Sequence, residues 1–196
     1  MNPEIPLSRF LPFLFLLLVV LAPAARAQSP TSGAPVACGK AKVEMDHPEY
    51  LTTPLGIVVV EPPPGWALDK TRKVPFYFFK RGETYQNART LICINVELLD
   101  VALGRAVERD RESFEAGCRP SRISHVAKLQ LLEQGCESQT ELFRCDRKEK
   151  PYVDLATKIA IGGLLLNVVL SADTPSEISQ YRSDYEFLLK HLTVVN

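Results

Sequence analysis

The segment MDHPEY, residues 45–50, brings together one imidazole and two carboxylates, groups that can bind a metal ion or move protons. On an extended strand, the side chains of His47 and Glu49 would share one face, and Asp46 would point to the other. A metal site needs more ligands than this local set supplies. We therefore favour a solvated loop before the first buried strand, and we predict neither a metal site nor a cofactor.

Ser124 and His125 form the other pair with catalytic potential, because a serine activated by a histidine is the nucleophile of many acyl-transfer enzymes. Neighbouring side chains on a strand point to opposite faces, however, and the sequence contains no Gly-x-Ser-x-Gly elbow. We predict that the protein is not an enzyme and has no catalytic residues. A hydrolase that uses His47 or His125 remains an unfavoured alternative.

Aromatic residues are concentrated in the segment PFYFFK, residues 75–80. Alternation along a strand places Phe76 and Phe78 on one face, which the core requires, and Tyr77 and Phe79 on the other. If no helix covers that second face, Tyr77 and Phe79 are exposed and mark a contact surface. Together with Trp66, they are our candidate surface for a partner protein or for a small apolar ligand.

The five cysteines cannot all be paired within one chain, because their number is odd: Cys38, Cys93, Cys118, Cys136 and Cys145. Cys136 and Cys145 are close in the sequence and are our candidate disulfide, although spacing does not fix connectivity. Cys93, inside LICINV, is either a buried small apolar residue or one half of a bridge. The absence of Cys-x-x-Cys and Cys-x-x-His spacings argues against a zinc knuckle or a thioredoxin-type motif.

Residues 1–27 have the pattern of a signal peptide: Arg9, the apolar run FLPFLFLLLVVLA, and Ala25-Arg26-Ala27 before a cleavage point at Gln28. The alternative is an uncleaved anchor, which the short apolar run disfavours. We expect a secreted or periplasmic protein that is not an integral membrane protein after cleavage. Such a location would allow disulfides to form.

The remaining chain divides into a linker over residues 28–39, rich in Pro, Gly, Ser and Thr, and one domain over residues 40–196. Basic and acidic residues are balanced, with 23 of each in the full sequence. Nucleic-acid binding normally requires a basic excess, so we expect no nucleic-acid partner.

Alternation and turn residues predict strands over residues 56–61, 76–80, 90–98, 125–134 and 140–147. A turn over 135–139 would join the last two. Residues 101–117 predict a helix with a thin apolar stripe, which is typical of a helix that lies on a surface.

The most apolar run after the N-terminus is IAIGGLLLNVVLSA, residues 159–172. It is too short for a membrane span and contains a central Gly162-Gly163 pair, which favours a two-residue hairpin turn. Folding the run there pairs Ile161 with Leu164, and continuing the register gives one nearly all-apolar face and one mixed face. We therefore predict a hairpin in the core of a sheet.

A helix signal follows the hairpin. Thr174 is a suitable N-cap, Pro175 fits the first turn, and Glu177 completes a capping box. The helix has one apolar stripe, made of Ile178, Tyr181, Tyr185, Leu188, Leu189 and Leu192. We expect this stripe to pack on the apolar face of the hairpin. His191, near the helix end, would interact with the helix terminus.

These elements predict an α+β fold in which a mid-chain helix and a C-terminal helix cover an antiparallel sheet of about six or seven strands. The order resembles the PsbP-like fold family, in which an apolar strand leads to a Pro-Gly-Trp, here Pro64-Gly65-Trp66. The ending SADTPSEISQYRSDYEFLLKHL also resembles that family. The resemblance covers most of residues 40–196 and implies a binding, assembly or chaperone module without catalysis.

We accordingly expect an exported, non-catalytic module that binds another envelope or secreted protein. A carrier with a small apolar ligand held between sheet and helix is the main alternative. Neither the partner, the oligomeric state nor the pathway follows from the sequence.

Overall fold

The computed structural model describes residues 45–126, 136–149 and 151–195. The predicted signal peptide and linker, and most of the strand predicted over 125–134, lie outside these residues. The described strands are β1 (Glu49–Thr53), β2 (Gly56–Val60), β3 (Trp66–Leu68), β4 (Phe76–Lys80), β5 (Thr90–Leu98), β6 (Ser121–Val126), β7 (Glu137–Cys145), β8 (Tyr152–Ile161), β9 (Leu164–Ala172) and β10 (Leu192–Val195). The helices are α1 (Leu103–Gly117) and α2 (Pro175–Lys190).

Seven strands form one antiparallel sheet in the order β3-β4-β5-β9-β8-β7-β6, and three form a second sheet in the order β1-β2-β10. The α+β prediction is confirmed. The sequence patterns did not predict the short strands β1 and β10, whose few residues carry little periodic signal.

The β8–β9 hairpin at the centre of the large sheet has the predicted register. Ile161 pairs with Leu164, Ile159 with Leu166, and Leu155 with Leu170. Gly162 and Gly163 form the turn with φ values of 56° and 81°, a conformation that disfavours side chains with a Cβ.

The helix α2 covers what we call the first face of the large sheet. Its capping box is present, with Thr174 Oγ1 accepting from the backbone N–H of Glu177. Tyr185 lies fully buried against this face, and its hydroxyl is 2.8 Å from the carbonyl oxygen of Val168. The core here contains Phe78, Ile92, Ile94, Leu166, Leu170, Leu188 and Leu189, together with Val58 and Val60 from the small sheet.

The opposite, second face carries α1. Leu103, Ala106 and Val107 pack against Leu165 of β9. The mid-chain helix is therefore a surface helix, as its thin apolar stripe predicts.

A disulfide joins the residue after α1, Cys118, to the last residue of β7, Cys145, with a Cα–Cα distance of 5.8 Å. The predicted Cys136–Cys145 pairing is wrong. Cys136 precedes β7 and Cys145 ends it, so the intervening extended strand separates their Cα atoms by about 30 Å. Cys136 is itself disulfide-bonded, and Cys93 is a free thiol.

The described residues contain no helix long and apolar enough to span a membrane.

Candidate functional site

The second face of the large sheet carries side chains of unusual polarity for a sheet interior. One row across the strands runs Tyr77, Cys93, Val169, Ala156, Glu141 and His125, because these residues are paired from β4 to β6. The corresponding first-face side chains of β5 and β9, such as Ile92 and Leu170, are apolar and fully buried. The two faces therefore have different chemistry.

The helix α1 provides a partner for the charges that it covers. Asp110 lies 2.7 Å from the ammonium of Lys158 on β8, and Arg111 lies 2.9 Å from Glu141 on β7. Further along α1, Phe114 contacts the ring of Phe143 at a centroid distance of 5.0 Å. Over β6, β7 and β8, the side chains of α1 are thus complementary in charge and in apolar character to the sheet that they cover.

Beyond α1, the side chains on β5 and β9 form what we call the open strip. They are all half-buried in the part of the chain that the structure describes: Cys93, Asn95, Asn167, Val169 and Ser171. The described part of the chain therefore covers this strip only partly.

An aromatic wall, made of Tyr77, Phe79 and Tyr85, lies beside the open strip. The Tyr77 ring stacks on Phe79 at 6.3 Å and meets Tyr85 edge-on at 5.6 Å. The guanidinium of Arg72 lies 3.8 Å from the centre of the Tyr85 ring, within cation–π range. Burial raises the pKa of Tyr77 to about 12, so its hydroxyl stays neutral and can donate a hydrogen bond.

The sequence-predicted contact residues do not form one surface. Phe79 is only 4% exposed, because Tyr77 and Tyr85 pack against it. Trp66 is 2% exposed and lies on the first face, since it pairs with Lys80 in β3–β4. Of the predicted three residues, Tyr77 alone is half-buried and adjoins the open strip.

Trp66 joins the sheet to α2. Its indole N–H donates to Asp184 at 2.8 Å, and its ring meets Tyr181 edge-on at 5.8 Å. Lys80 bonds the same carboxylate oxygen at 2.8 Å and lies over the rings of Trp66 and Tyr181. Trp66 of the Pro-Gly-Trp motif therefore has a structural role, because its contacts connect the large sheet to α2.

Asp154, at the border between α1 and the open strip, has the most unusual environment on the second face. It pairs with Ser171 across β8–β9, and the Ser171 side chain hydrogen-bonds to it. Its Oδ1 atom is buried and has no hydrogen-bond partner. Burial raises the pKa of Asp154 to about 6, against an ordinary value of 3.8. No motif marks this residue in the sequence, although strand alternation through YVDLATKIAI would place it on the second face.

His125 and His47 are not assembled into catalytic groups by the described residues. The His125 ring, on a side chain that is 57% exposed, lies 3.1 Å from Glu141 Oε1, and the same oxygen accepts from Arg111 and Gln139. Burial alone would raise the pKa of Glu141, but these hydrogen bonds hold it below its usual value. Ser124 points to the first face, as alternation predicts.

His47 is exposed before β1, and Glu49 pairs with Lys70 at 3.4 Å instead. Over residues 45–126, 136–149 and 151–195, no group of three or more His, Cys, Asp or Glu side chains is placed to hold a metal ion. His191 Nδ1 lies 2.8 Å from the carbonyl oxygen of Phe187, in the last turn of α2.

The fold is shared with known structures of low sequence identity. LpqN, involved in cell envelope biogenesis of Mycobacterium tuberculosis, matches with a TM-score of 0.54 and 11% identity, over 76% of this chain and 90% of that chain. The Ran-binding protein Mog1p of Saccharomyces cerevisiae gives 0.48 and 14%, over 76% and 96%. Cyanobacterial PsbP from Synechocystis gives 0.40 and 12%, over 81% and 98%. The resemblance to the PsbP-like fold is confirmed.

The similarity defines a fold and leaves the activity open. This chain covers 45% of the length of a matching Bacteroides thetaiotaomicron structure, with a TM-score of 0.44 and 11% identity over 71% of this chain. No family model matches the sequence, and no curated protein is significantly similar to it.

Proposed function

We propose that the chain is an exported, non-catalytic protein-binding module of the cell envelope, whose partner docks on the open strip and the adjoining aromatic wall. The observation that carries this proposal is the incomplete cover of the second face. The helix α1 matches the charges over β6, β7 and β8, whereas the open strip on β5 and β9 remains half-buried.

The residue types beside the open strip are those that dominate binding energy in protein interfaces. Tyrosine and arginine are enriched among such residues, and the edge of the strip carries Tyr77, Tyr85 and Arg72. A centre of aromatic residues with polar neighbours suits a protein partner.

Export is supported by the signal-peptide pattern of residues 1–27 and by the Cys118–Cys145 disulfide, which forms and persists in oxidising compartments. LpqN, which shares the fold, is itself a protein of cell envelope biogenesis. A secreted or periplasmic location would place the partner in the same compartment.

The two alternatives have less support. The space between the sheet and α2 contains fully buried side chains such as Phe78, Leu166 and Tyr185, which does not favour an apolar ligand there. A hydrolase needs a nucleophile beside His125 or His47, and the described residues provide none within hydrogen-bond distance of either ring.

Site-specific photo-crosslinking in the native host tests the proposal. A photoreactive phenylalanine analogue replaces Tyr77 in one variant and Glu112, exposed on α1, in a matched control. We expect one protein to crosslink at position 77 and not at position 112. That protein, purified separately, should then bind the mature chain, and Tyr77→Ala should weaken binding at least tenfold at a temperature where circular dichroism shows the variant to be folded.

Equal crosslinking at both positions, or unchanged affinity of Tyr77→Ala, would contradict the proposed surface. A lipid that co-purifies in stoichiometric amount, with no crosslinked protein, would support the carrier alternative instead. Mass spectrometry of the exported chain should find Gln28 as its first residue if residues 1–27 are removed.

A further inference from the structure

Lys158 and Glu141 are buried charged side chains of the second face, and each has a partner of opposite charge, whereas Asp154 has none among the described residues. Lys158 has Asp110, and Glu141 has Arg111, His125 and Gln139. Asp154 receives a hydrogen bond from Ser171, and no cation is bonded to it. The element that could have supplied one, α1, places Phe114 in this region, in contact with Phe143 and Tyr152.

A buried carboxylate oxygen without a partner is costly, since its lost hydration is replaced by nothing. Asp154 Oδ1 is in this condition, and so are Glu141 Oε2, Arg111 Nε and Asn167 Oδ1. Glu141 and Arg111 form an ion pair with each other and Asn167 is uncharged, so Asp154 is the charged residue of these four that lacks a counter-ion. The free energy lost would be recovered if a donor, above all a charged one, reached the carboxylate from the open strip. The unsatisfied oxygen therefore indicates a missing positively charged group.

We propose that Asp154 receives the basic side chain of an arginine or a lysine from the partner protein, which enters along the open strip between α1 and the aromatic wall. This inference rests on the proposed function, because it names the chemistry of the partner at the same surface.

The residues around Asp154 suit a cation on a slender apolar stem. Val169 and Cys93 on the open strip are small and would pack against the methylene groups of such a side chain. Tyr152, two residues before Asp154 on the same face of β8, offers an aromatic ring. Ser171 keeps one hydrogen bond to the carboxylate and so orients it.

The titratable groups facing Asp154 leave it as the group that changes charge near neutral pH. Burial raises the pKa values of Cys93 on β5 and Tyr152 on β8 to about 12, so both stay neutral. Phe143 on β7 and Phe114 on α1 carry no charge. Arg147 lowers the pKa of Tyr152 against the effect of burial, and it donates to the carbonyl oxygen of Gly117.

The experiment uses the full mature chain and a probe that stands for an arginine side chain, butylguanidinium, with N-butylurea as its neutral counterpart. Carbon-13 NMR of the side-chain carboxyls follows Asp154 as the pH is raised, with and without each probe. We expect butylguanidinium to lower the titration midpoint of Asp154 by at least one pH unit. Its affinity should be about tenfold weaker at pH 5 than at pH 7, because protonation removes the charge it binds.

Asp154→Asn should reduce the affinity for butylguanidinium at least tenfold. The matched change Glu97→Gln, an exposed carboxylate on the same face of β5, should leave it unchanged. N-butylurea binding as tightly as butylguanidinium, or an Asp154 midpoint unmoved by the charged probe, would overturn the proposal. The titration needs no partner protein, so its failure is distinct from a failure of the crosslinking experiment.

Discussion

Replacing Asp154 by asparagine should stabilise the free protein, and the gain should grow with pH. In the folded chain the pKa of Asp154 is raised by burial to about 6, against 3.8 for an ordinary aspartate. The folded state therefore holds the proton more tightly than the unfolded state. The stability that this tighter proton binding contributes is fully present below pH 3.8 and is lost as the pH rises through 6. The charged carboxylate therefore destabilises the fold at neutral pH.

The shift of about two pKa units corresponds to about 3 kcal/mol at pH 7, at 1.36 kcal/mol per unit. At pH 4 the same linkage gives only about 0.5 kcal/mol, since even the unfolded carboxyl is then partly protonated. The stability difference between Asp154→Asn and the natural chain should therefore increase by about 2.5 kcal/mol from pH 4 to pH 7. Any constant effect of the amide on the Ser171 hydrogen bond cancels in this comparison.

Urea unfolding of both proteins at pH 4, 5, 6 and 7 measures the difference directly. Glu97→Gln serves as the control for a carboxylate-to-amide change at an exposed position, and its stability difference should stay nearly constant. Parallel stability curves for Asp154→Asn and the natural chain would refute the reasoning. That result would mean that the carboxylate is hydrated in the free protein and lacks nothing that a partner could supply.

Two further changes test the contacts that hold the helices in place. Replacing both Cys118 and Cys145 by alanine should lower the free energy of unfolding by about 3–4 kcal/mol, because the bridge closes a loop with a sequence separation of 27; urea unfolding without reductant measures it, and a loss below 1 kcal/mol would contradict the loop-entropy argument. Trp66→Phe should cost about 2 kcal/mol, since it removes the indole hydrogen bond to Asp184. Asp184→Asn in the Trp66→Phe background should then have a smaller effect than in the natural chain, and additive effects in the cycle would show that the bond contributes nothing.

The fold was largely predictable because strong local signals agreed with each other. The glycine pair at 162–163, the register that follows from it and the capping box at Thr174 each reflect interactions between residues near in sequence. The strand limits of β4 and β5 also follow from alternation between two turn segments. By contrast, β10 depends on pairing with the distant β2, which leaves no periodic trace in four residues.

The candidate site was harder to predict, because it depends on which face an element covers. Alternation correctly separates Tyr77 from Phe78, but it cannot tell that Tyr85, eight residues later, folds back over Phe79 and buries it. The pairing of Cys145 with Cys118 likewise requires knowing that α1 ends beside the end of β7. Asp154 was missed because its burial and its lack of a counter-ion depend on residues of other elements, which the sequence of one apolar strand does not reveal.

The features that resemble the PsbP-like family and the features that would bind a partner lie on opposite faces of one sheet. Trp66 of the Pro-Gly-Trp motif and the apolar stripe of α2 are both buried on the first face, where they join the helix to the sheet. Such packing constrains residue type without specifying any ligand. The second face carries the half-buried strip, the wall and the unmatched Asp154, and none of these belongs to the matching motif. Proteins that share the first face can therefore differ in what they bind, and the partner of this chain should be sought through the chemistry of its second face.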